Sequence, residues 1–232
     1  MSKKTIGIIG GMGPLATADL FRKIVLHTEA KCDQDHLHIL IDNNTCIADR
    51  TAALLNGGES PLAEMVKSAR WLERGGADCL IMPCNTAHCF HEKIQKEVRI
   101  PLLNMLELTC QTLSNRGISC AGLLATNGTV ETGIYDQMAK KFGVKLLTPD
   151  KAGQKSLMDM IYQGVKAGMP AFDTTSVNEA VEKMRANGAE IMILGCTELP
   201  LAKEMYHLDF EAVDPTLELA MGAIRFAGGK VQ

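Results

Sequence analysis

The chain has 232 residues, 46% of them hydrophobic and 22% charged, a balance that fits a folded soluble protein of one large domain or two domains of roughly 100 residues. A formal net charge of −3 and a pI of about 6.1 give no basic field for nucleic acid, and no apolar run approaches the roughly 20 residues that span a bilayer. Eight cysteines without a secretion signal point to free thiols in a reducing cytoplasm, with a core large enough to need no metal or disulfide staple.

Met1-Ser2-Lys3-Lys4 leads into a predicted first strand at 5–9, whose apolar run is too short and too glycine-punctuated for a signal peptide. Gly10-Gly11-Met12-Gly13-Pro14 then opens a helix over 14–30, with Pro14 suited to the first helical position. Gly11, Gly13 and Ala16 formally satisfy G-x-G-x-x-A, the fingerprint of a dinucleotide site. The acid expected about 20 residues on is missing, since Asp42 lies 31 beyond Gly11. A tight turn whose amides face a small anion is the better reading. A strand at 37–42 runs into Asp42-Asn43-Asn44, and Asp49-Arg50 follow by a short loop. A helix at 58–74 ends on Gly75-Gly76, a strand at 78–83 delivers Pro83-Cys84-Asn85-Thr86, and a helix at 86–97, a strand at 100–104 and a helix at 105–115 complete the first half.

The second half opens after Asn115-Arg116-Gly117 with a strand at 119–125 that runs into Thr126-Asn127-Gly128-Thr129. A helix at 130–141, a strand at 144–148 and a helix at 153–167 carrying Lys166 follow, then a helix at 176–187 capped by Asn187-Gly188. A strand at 190–194 delivers Gly195-Cys196-Thr197-Glu198, and a helix at 198–205, a strand at 210–214 and a helix at 215–227 close the chain. Short β-branched runs alternating with longer amphipathic ones predict repeated βα units around parallel sheets, four strands in each half. Ligands of such sheets bind beyond the carboxyl ends of the strands, which is where every motif above falls.

The halves repeat each other. Gly76 to Thr86 matches Gly188 to Glu198, which sets Cys84 against Cys196 at an offset of 112; Gly7 to Gly10 matches Gly122 to Ala125 at 115, and Leu106-Glu107-Leu108 matches Leu217-Glu218-Leu219 at 111. A duplicated unit thus contributes one thiol per copy. If the copies face each other, the thiols flank one cleft, the arrangement needed to move a proton from one face of a carbon to the other. Each precedes residues suited to capping a helix, whose positive start would lower a thiol's pKa. Cys32, Cys46, Cys79, Cys89, Cys110 and Cys120 read as ordinary buried cysteines. A metal site at Cys84, His88, Cys89 and His91 lacks the second paired cysteine motif that zinc frameworks carry. Asn85, Thr86, Thr126, Thr129 and Thr197 supply neutral donors that suit an amino-acid head, although each alone is more often a cap. Arg50 and Lys166 default to solvated charges, yet an anionic substrate would want such cations.

These motifs, with Gly164-Val165-Lys166-Ala167-Gly168, resemble the aspartate/glutamate racemase superfamily over nearly the whole chain, and most closely its aspartate racemases, which use no pyridoxal phosphate. The resemblance implies an α/β fold of two flavodoxin-like three-layer domains with parallel four-stranded sheets, related by pseudo-twofold symmetry and with the active site between them. It places residues 1–103 with 214–232 in one domain and 104–213 in the other. It makes Cys84 and Cys196 the proton-transferring thiols, and Met12, Arg50, Asn85, Thr86, Ala87, Thr126, Lys166, Thr197 and Glu198 the substrate-binding positions, with Arg50 and Lys166 on the side-chain carboxylate. It implies L- and D-aspartate interconversion without a cofactor, in a homodimer; charge, hydropathy and cysteine usage add the expectation of a cytoplasmic protein that engages neither nucleic acid nor membrane, and motif spacing that of no metal. Glu198 stands where the glutamate racemase branch usually has histidine, and the first strand-end loop lacks that branch's acid. Both departures favour aspartate, while broad-specificity relatives keep glutamate and other amino acids open. The competing readings are a superfamily decarboxylase or isomerase, a non-catalytic binding module for a small anion or amino acid, and, on the glycine loop alone, a nucleotide-dependent oxidoreductase.

Overall fold

The computed structural model describes residues 3–232. In chain order the elements are β1 (Ile6–Gly10), α1 (Pro14–His27), β2 (Ile39–Asn43), α2 (Arg50–Leu55), α3 (Leu62–Arg74), β3 (Cys79–Ile81), α4 (His91–Gln95) and α5 (Met105–Asn115). They continue with β4 (Cys120–Ala125), α6 (Asn127–Glu131), α7 (Ile134–Lys141), β5 (Lys145–Leu147), α8 (Lys151–Asp159), α9 (Thr175–Ala186), β6 (Ile191–Gly195), α10 (Leu199–Met205), β7 (Ala212–Val213) and α11 (Pro215–Phe226). A 3-10 turn, Thr86–Phe90, leads into α4, and a π-helical run, Met160–Val165, extends α8. The chain forms two compact units, the first running to Leu108 and taking back Thr216–Gln232, the second spanning Thr109–Pro215.

In the first unit β1 lies between β2 and β3, all parallel. Side chains alternate across this sheet as the period of a strand demands. Ile6, Ile8, Cys79 and Ile81 pack with Leu20 and Ile24 of α1 and Leu219, Ala223 and Ile224 of α11. Ile9, Leu80 and Met82 pack on the other face with Met65, Ala69 and Leu72 of α3. The strand expected at 100–104 is reduced to one parallel bridge, Leu80 to Leu102. The Leu80 amide donates to the Pro101 carbonyl at 2.8 Å and the Leu103 amide to Leu80 at 2.9 Å, but Pro101 has no N–H to carry the ladder further. The sheet therefore has three strands where four were expected.

The second unit does carry four parallel strands, in the order β5-β4-β6-β7. Leu124, Met192 and Leu194 pack against Leu157 of α8, Met160 and Ile161 of the π-helical run, Val177, Val181 and Met184 of α9, and Leu199 and Ala202 of α10.

Helices differ from expectation where tertiary contacts intervene. α1 stops at His27 because Thr28 turns extended and bridges Val231 of the returning tail. The helix expected from residue 58 begins only at Leu62. α2 had no counterpart in the sequence reading, since six residues are too few to show a helical period.

Candidate active site

In the first unit, the strand register brings the carboxyl ends of β1 and β2 together. β1 pairs with β2 as far as Gly10 and Asn43, and the next residues, Gly11 and Asn44, touch backbone to backbone. A Cβ on Gly11 would lie 2.2 Å from the Asn44 carbonyl oxygen, and its φ of +91° is a glycine conformation. The Gly11 amide donates to Thr17 Oγ1 at 3.0 Å, and that hydroxyl donates to the Gly13 carbonyl at 3.0 Å. The glycines thus serve close loop packing, and the Gly11 amide is spent within the protein rather than offered to the anion that the sequence suggested.

Met12 is buried beside Ile47, Cys84 and Ala87 in the α3-side core, so the thiol continues the alternation of Leu80 and Met82. Arg50 opens α2 behind an Asp49 cap, whose carboxylate accepts from the Ala52 amide at 2.7 Å. Its guanidinium donates to the Met12 carbonyl at 2.8 Å and to the Ala48 carbonyl at 3.0 Å, which ties the loops after β1 and β2 to one fork. Asn85 and Thr86, both buried, begin the 3-10 turn after Cys84.

His88 fixes that turn from behind. Its Nε2 accepts from the Met105 amide at 3.1 Å, which leaves Nδ1 to carry the proton and donate to the Cys84 carbonyl at 2.9 Å. Burial pushes its pKa down to about 3, so the ring is neutral. With both nitrogens engaged by backbone, His88 has no lone pair for a metal, and among the described residues no cluster of His, Cys, Asp and Glu is placed to hold one. The sequence reading had missed this strut, although a histidine four residues after the cysteine was its visible trace.

In the second unit, β4 and β6 pair through Ala125 and Gly195, so Thr126 and Cys196 leave neighbouring strand ends together. Thr126 is the N-cap residue of α6, its hydroxyl 3.4 Å from that of Thr129. Cys196, Thr197, Glu198 and Lys166 form a connected group. Cys196 Sγ donates to Glu198 Oε2 at 2.9 Å, Thr197 Oγ1 reaches the same oxygen at 3.4 Å, and Lys166 Nζ meets Glu198 Oε1 at 3.1 Å. Lys166 follows the π-helical run, its amide closing a five-residue ring onto Ile161 at 3.0 Å, and its ammonium lies 5.3 Å from the Tyr162 ring centre.

The electrostatics reverse one expectation. A helix start was expected to lower the thiol pKa, but Cys196 is held well above the usual thiol value, by burial first and then by the Glu198 carboxylate. The Glu198 amide and the Lys166 ammonium work the other way without prevailing. Burial pulls the Lys166 ammonium down, but Glu198 and Cys196 outweigh it, and its pKa is raised. The sequence had shown no cation near either thiol; the fold supplies one to Cys196.

The remaining cysteines divide. Cys79 and Cys110 are buried, with burial pushing each to about 12. Cys89 and Cys120 are half-buried, and Cys32 and Cys46, expected to be buried, are exposed on loops.

Residues 9–223 match the family described as Asp/Glu/hydantoin racemase. The chain is 33% identical to the Picrophilus torridus aspartate racemase structure, with a TM-score of 0.82 over 99% of this chain and 96% of that one. It is 26% identical to the broad specificity amino-acid racemase RacX of Bacillus subtilis, over 94% of this chain and 96% of the relative. A glutamate racemase from Francisella tularensis, solved with D-glutamate, shares the fold at 17% identity and a TM-score of 0.69, over 97% of this chain and 81% of that one.

Proposed function

The chain belongs to the Asp/Glu/hydantoin racemase family, whose membership supports amino-acid racemase activity, and we propose that it interconverts L- and D-aspartate without a cofactor. The observation that carries the reading is the Cys196 thiol, buried and hydrogen-bonded to a carboxylate whose other oxygen holds Lys166. Such a thiol keeps its proton, which the acid in a two-base proton transfer must have to give. Likeness to the Picrophilus aspartate racemase over nearly the full chain supports aspartate as the substrate.

In this mechanism one of Cys84 and Cys196 removes the α-proton as a thiolate, and the other, as a thiol, protonates the opposite face of the planar carbanion. Asn85, Thr86, Thr126 and Thr197, together with strand-end amides, hold the α-amino and α-carboxylate groups, where hydrogen bonds offset the charge that develops. Met12 and Ala87 line the site. Arg50 and Lys166 take the distal carboxylate and fix the α-carbon in place. Eight free cysteines support a reducing, cytoplasmic setting. A homodimer belongs to the reading, supported by exposed Phe21, Ile41 and Trp71 on the first unit.

Incubation with L-aspartate in deuterated water, without added cofactor, is the test. D-aspartate carrying α-deuterium is the expected product. Cys84→Ala and Cys196→Ala should each abolish interconversion, one of them retaining α-exchange into a single enantiomer; racemisation surviving in both excludes the two-thiol mechanism. The name of the Bacillus relative favours a second reading, a racemase of broad amino-acid range, which equal turnover of homoserine, alanine and aspartate would establish.

A further inference from the structure

We infer that Glu198 is a positioning residue for Cys196, accepting its proton when an anion draws Lys166 away, so that the thiolate forms only in a chain occupied by a dicarboxylate ligand. This rests on the reading of Cys196 as a reacting thiol and reassigns Glu198, which the sequence had grouped with substrate binding. The geometry is specific. Glu198 Oε2 lies 2.9 Å from the sulfur, a direct S–H···O bond, and Oε1 lies 3.1 Å from the Lys166 ammonium. The Glu198 side chain is only 9% exposed, whereas Lys166 keeps 30% of its side chain in solvent and can be reached from outside. Glu198 thus sits between the thiol and the ammonium, and Lys166 is the charge paired with it.

An incoming carboxylate competes for that ammonium. Once Lys166 turns to it, Glu198 has lost its counter-ion and keeps the Cys196 thiol and the Thr197 hydroxyl on Oε2. The proton then passes along the S–H···O bond: the S–H bond breaks, its electron pair stays on sulfur, an O–H bond forms on Oε2, and no net charge is created. The Glu198 amide remains beside the new thiolate. The charged or titratable groups facing Cys196 are Glu198 from the start of α10 and Lys166, with Tyr162 against the ammonium, from the π-helical side. A monocarboxylic amino acid such as alanine has no second carboxylate to move Lys166, so the same device selects dicarboxylates.

Two measurements test it. Succinate, a dicarboxylate that cannot be racemised, should raise the ultraviolet thiolate band of the parent chain at fixed pH. The rise should be absent in Glu198→Gln, which cannot take the proton, and partly restored in Glu198→Asp. No rise in the parent, or an equal rise in Glu198→Gln, overturns the assignment. Second, α-deuterium exchange is measured through Cys196 alone, in Cys84→Ala, and through Cys84 alone, in Cys196→Ala, each with and without Glu198→Gln. The ratio of exchange through Cys196 to exchange through Cys84 should fall about 100-fold on adding Glu198→Gln. An unchanged ratio, with both exchanges falling together, means a general structural effect and overturns the proposal. Absence of any exchange from aspartate refutes the substrate reading instead, and the succinate arm, which needs no turnover, still decides the role of Glu198.

Discussion

His88 shows how one side chain sets a loop. It bridges the Cys84 carbonyl and the Met105 amide, so the turn after β3 and the start of α5 share one ring. Removing it leaves two buried backbone groups without that partner, at about 1–3 kcal/mol each before relaxation. His88→Ala should therefore lower the urea midpoint and depress turnover together. The pH dependence has a definite sign. The folded pKa lies near 3, below the ordinary histidine value of about 6.5, so the unfolded chain binds more protons between them. Stability is then complete above about pH 6.5 and is lost as pH falls towards 3, with a slope of up to about 1.4 kcal/mol per pH unit from this group. Denaturant titrations from pH 7 to pH 4 should show a shallower fall for a His88→Asn chain than for the parent; equal slopes would mean that His88 charges freely while folded.

At the level of elements, the turn from β1 to α1 depends on contact with the loop after β2. Gly11→Ala places a Cβ against the Asn44 backbone and strains a φ of +91°, at a cost of roughly 1–3 kcal/mol or more. A lowered urea midpoint with reduced activity is expected, because Arg50 holds the Met12 carbonyl in that same turn. The glycine motif was plain in the sequence, but its purpose was not, since a tight turn, a phosphate cradle and a backbone contact share the same letters. The π-helical run is similar. A continuous helix was expected over 153–167, and Lys166 was placed in it, yet the widened ring that ends at Lys166 depends on how Met160, Ile161 and Val165 meet the core. In the same region Tyr206 donates to the Met169 carbonyl at 2.9 Å and packs over Gly164. Tyr206→Phe should cost about 1 kcal/mol in a denaturant titration if that bond holds the segment after Lys166.

On the scale of the whole molecule, the first unit is completed by the end of the chain. Leu219, Ala220, Ala223, Ile224 and Ala227 fill the α1-side core beside Ile6 and Ile8. Leu219 and Ile224, both fully buried, are worth roughly 2–5 kcal/mol each, a large share of a typical domain's stability. Truncation before Thr216 should thus abolish cooperative thermal unfolding of the first unit, read by circular dichroism. A truncated chain that melts like the parent would show the returning helix to be dispensable.

The alternation of strands and helices, the parallel sheets, the two matched cysteines at strand ends and the family were legible in the sequence, because each is written in local periodicity or in residues close along the chain. The sequence did not determine which strand would fail at Pro101, where α1 would stop, or that Glu198 would hold both Cys196 and Lys166. Those depended on which atoms met across distances of tens of residues: a proline with no amide to carry the ladder past Leu80, a tail residue bridged to Thr28, and a lysine 30 positions before the cysteine it serves. Residue type allows such partnerships, but only packing selects one, since burial sets which charges must pair and which thiols keep their protons.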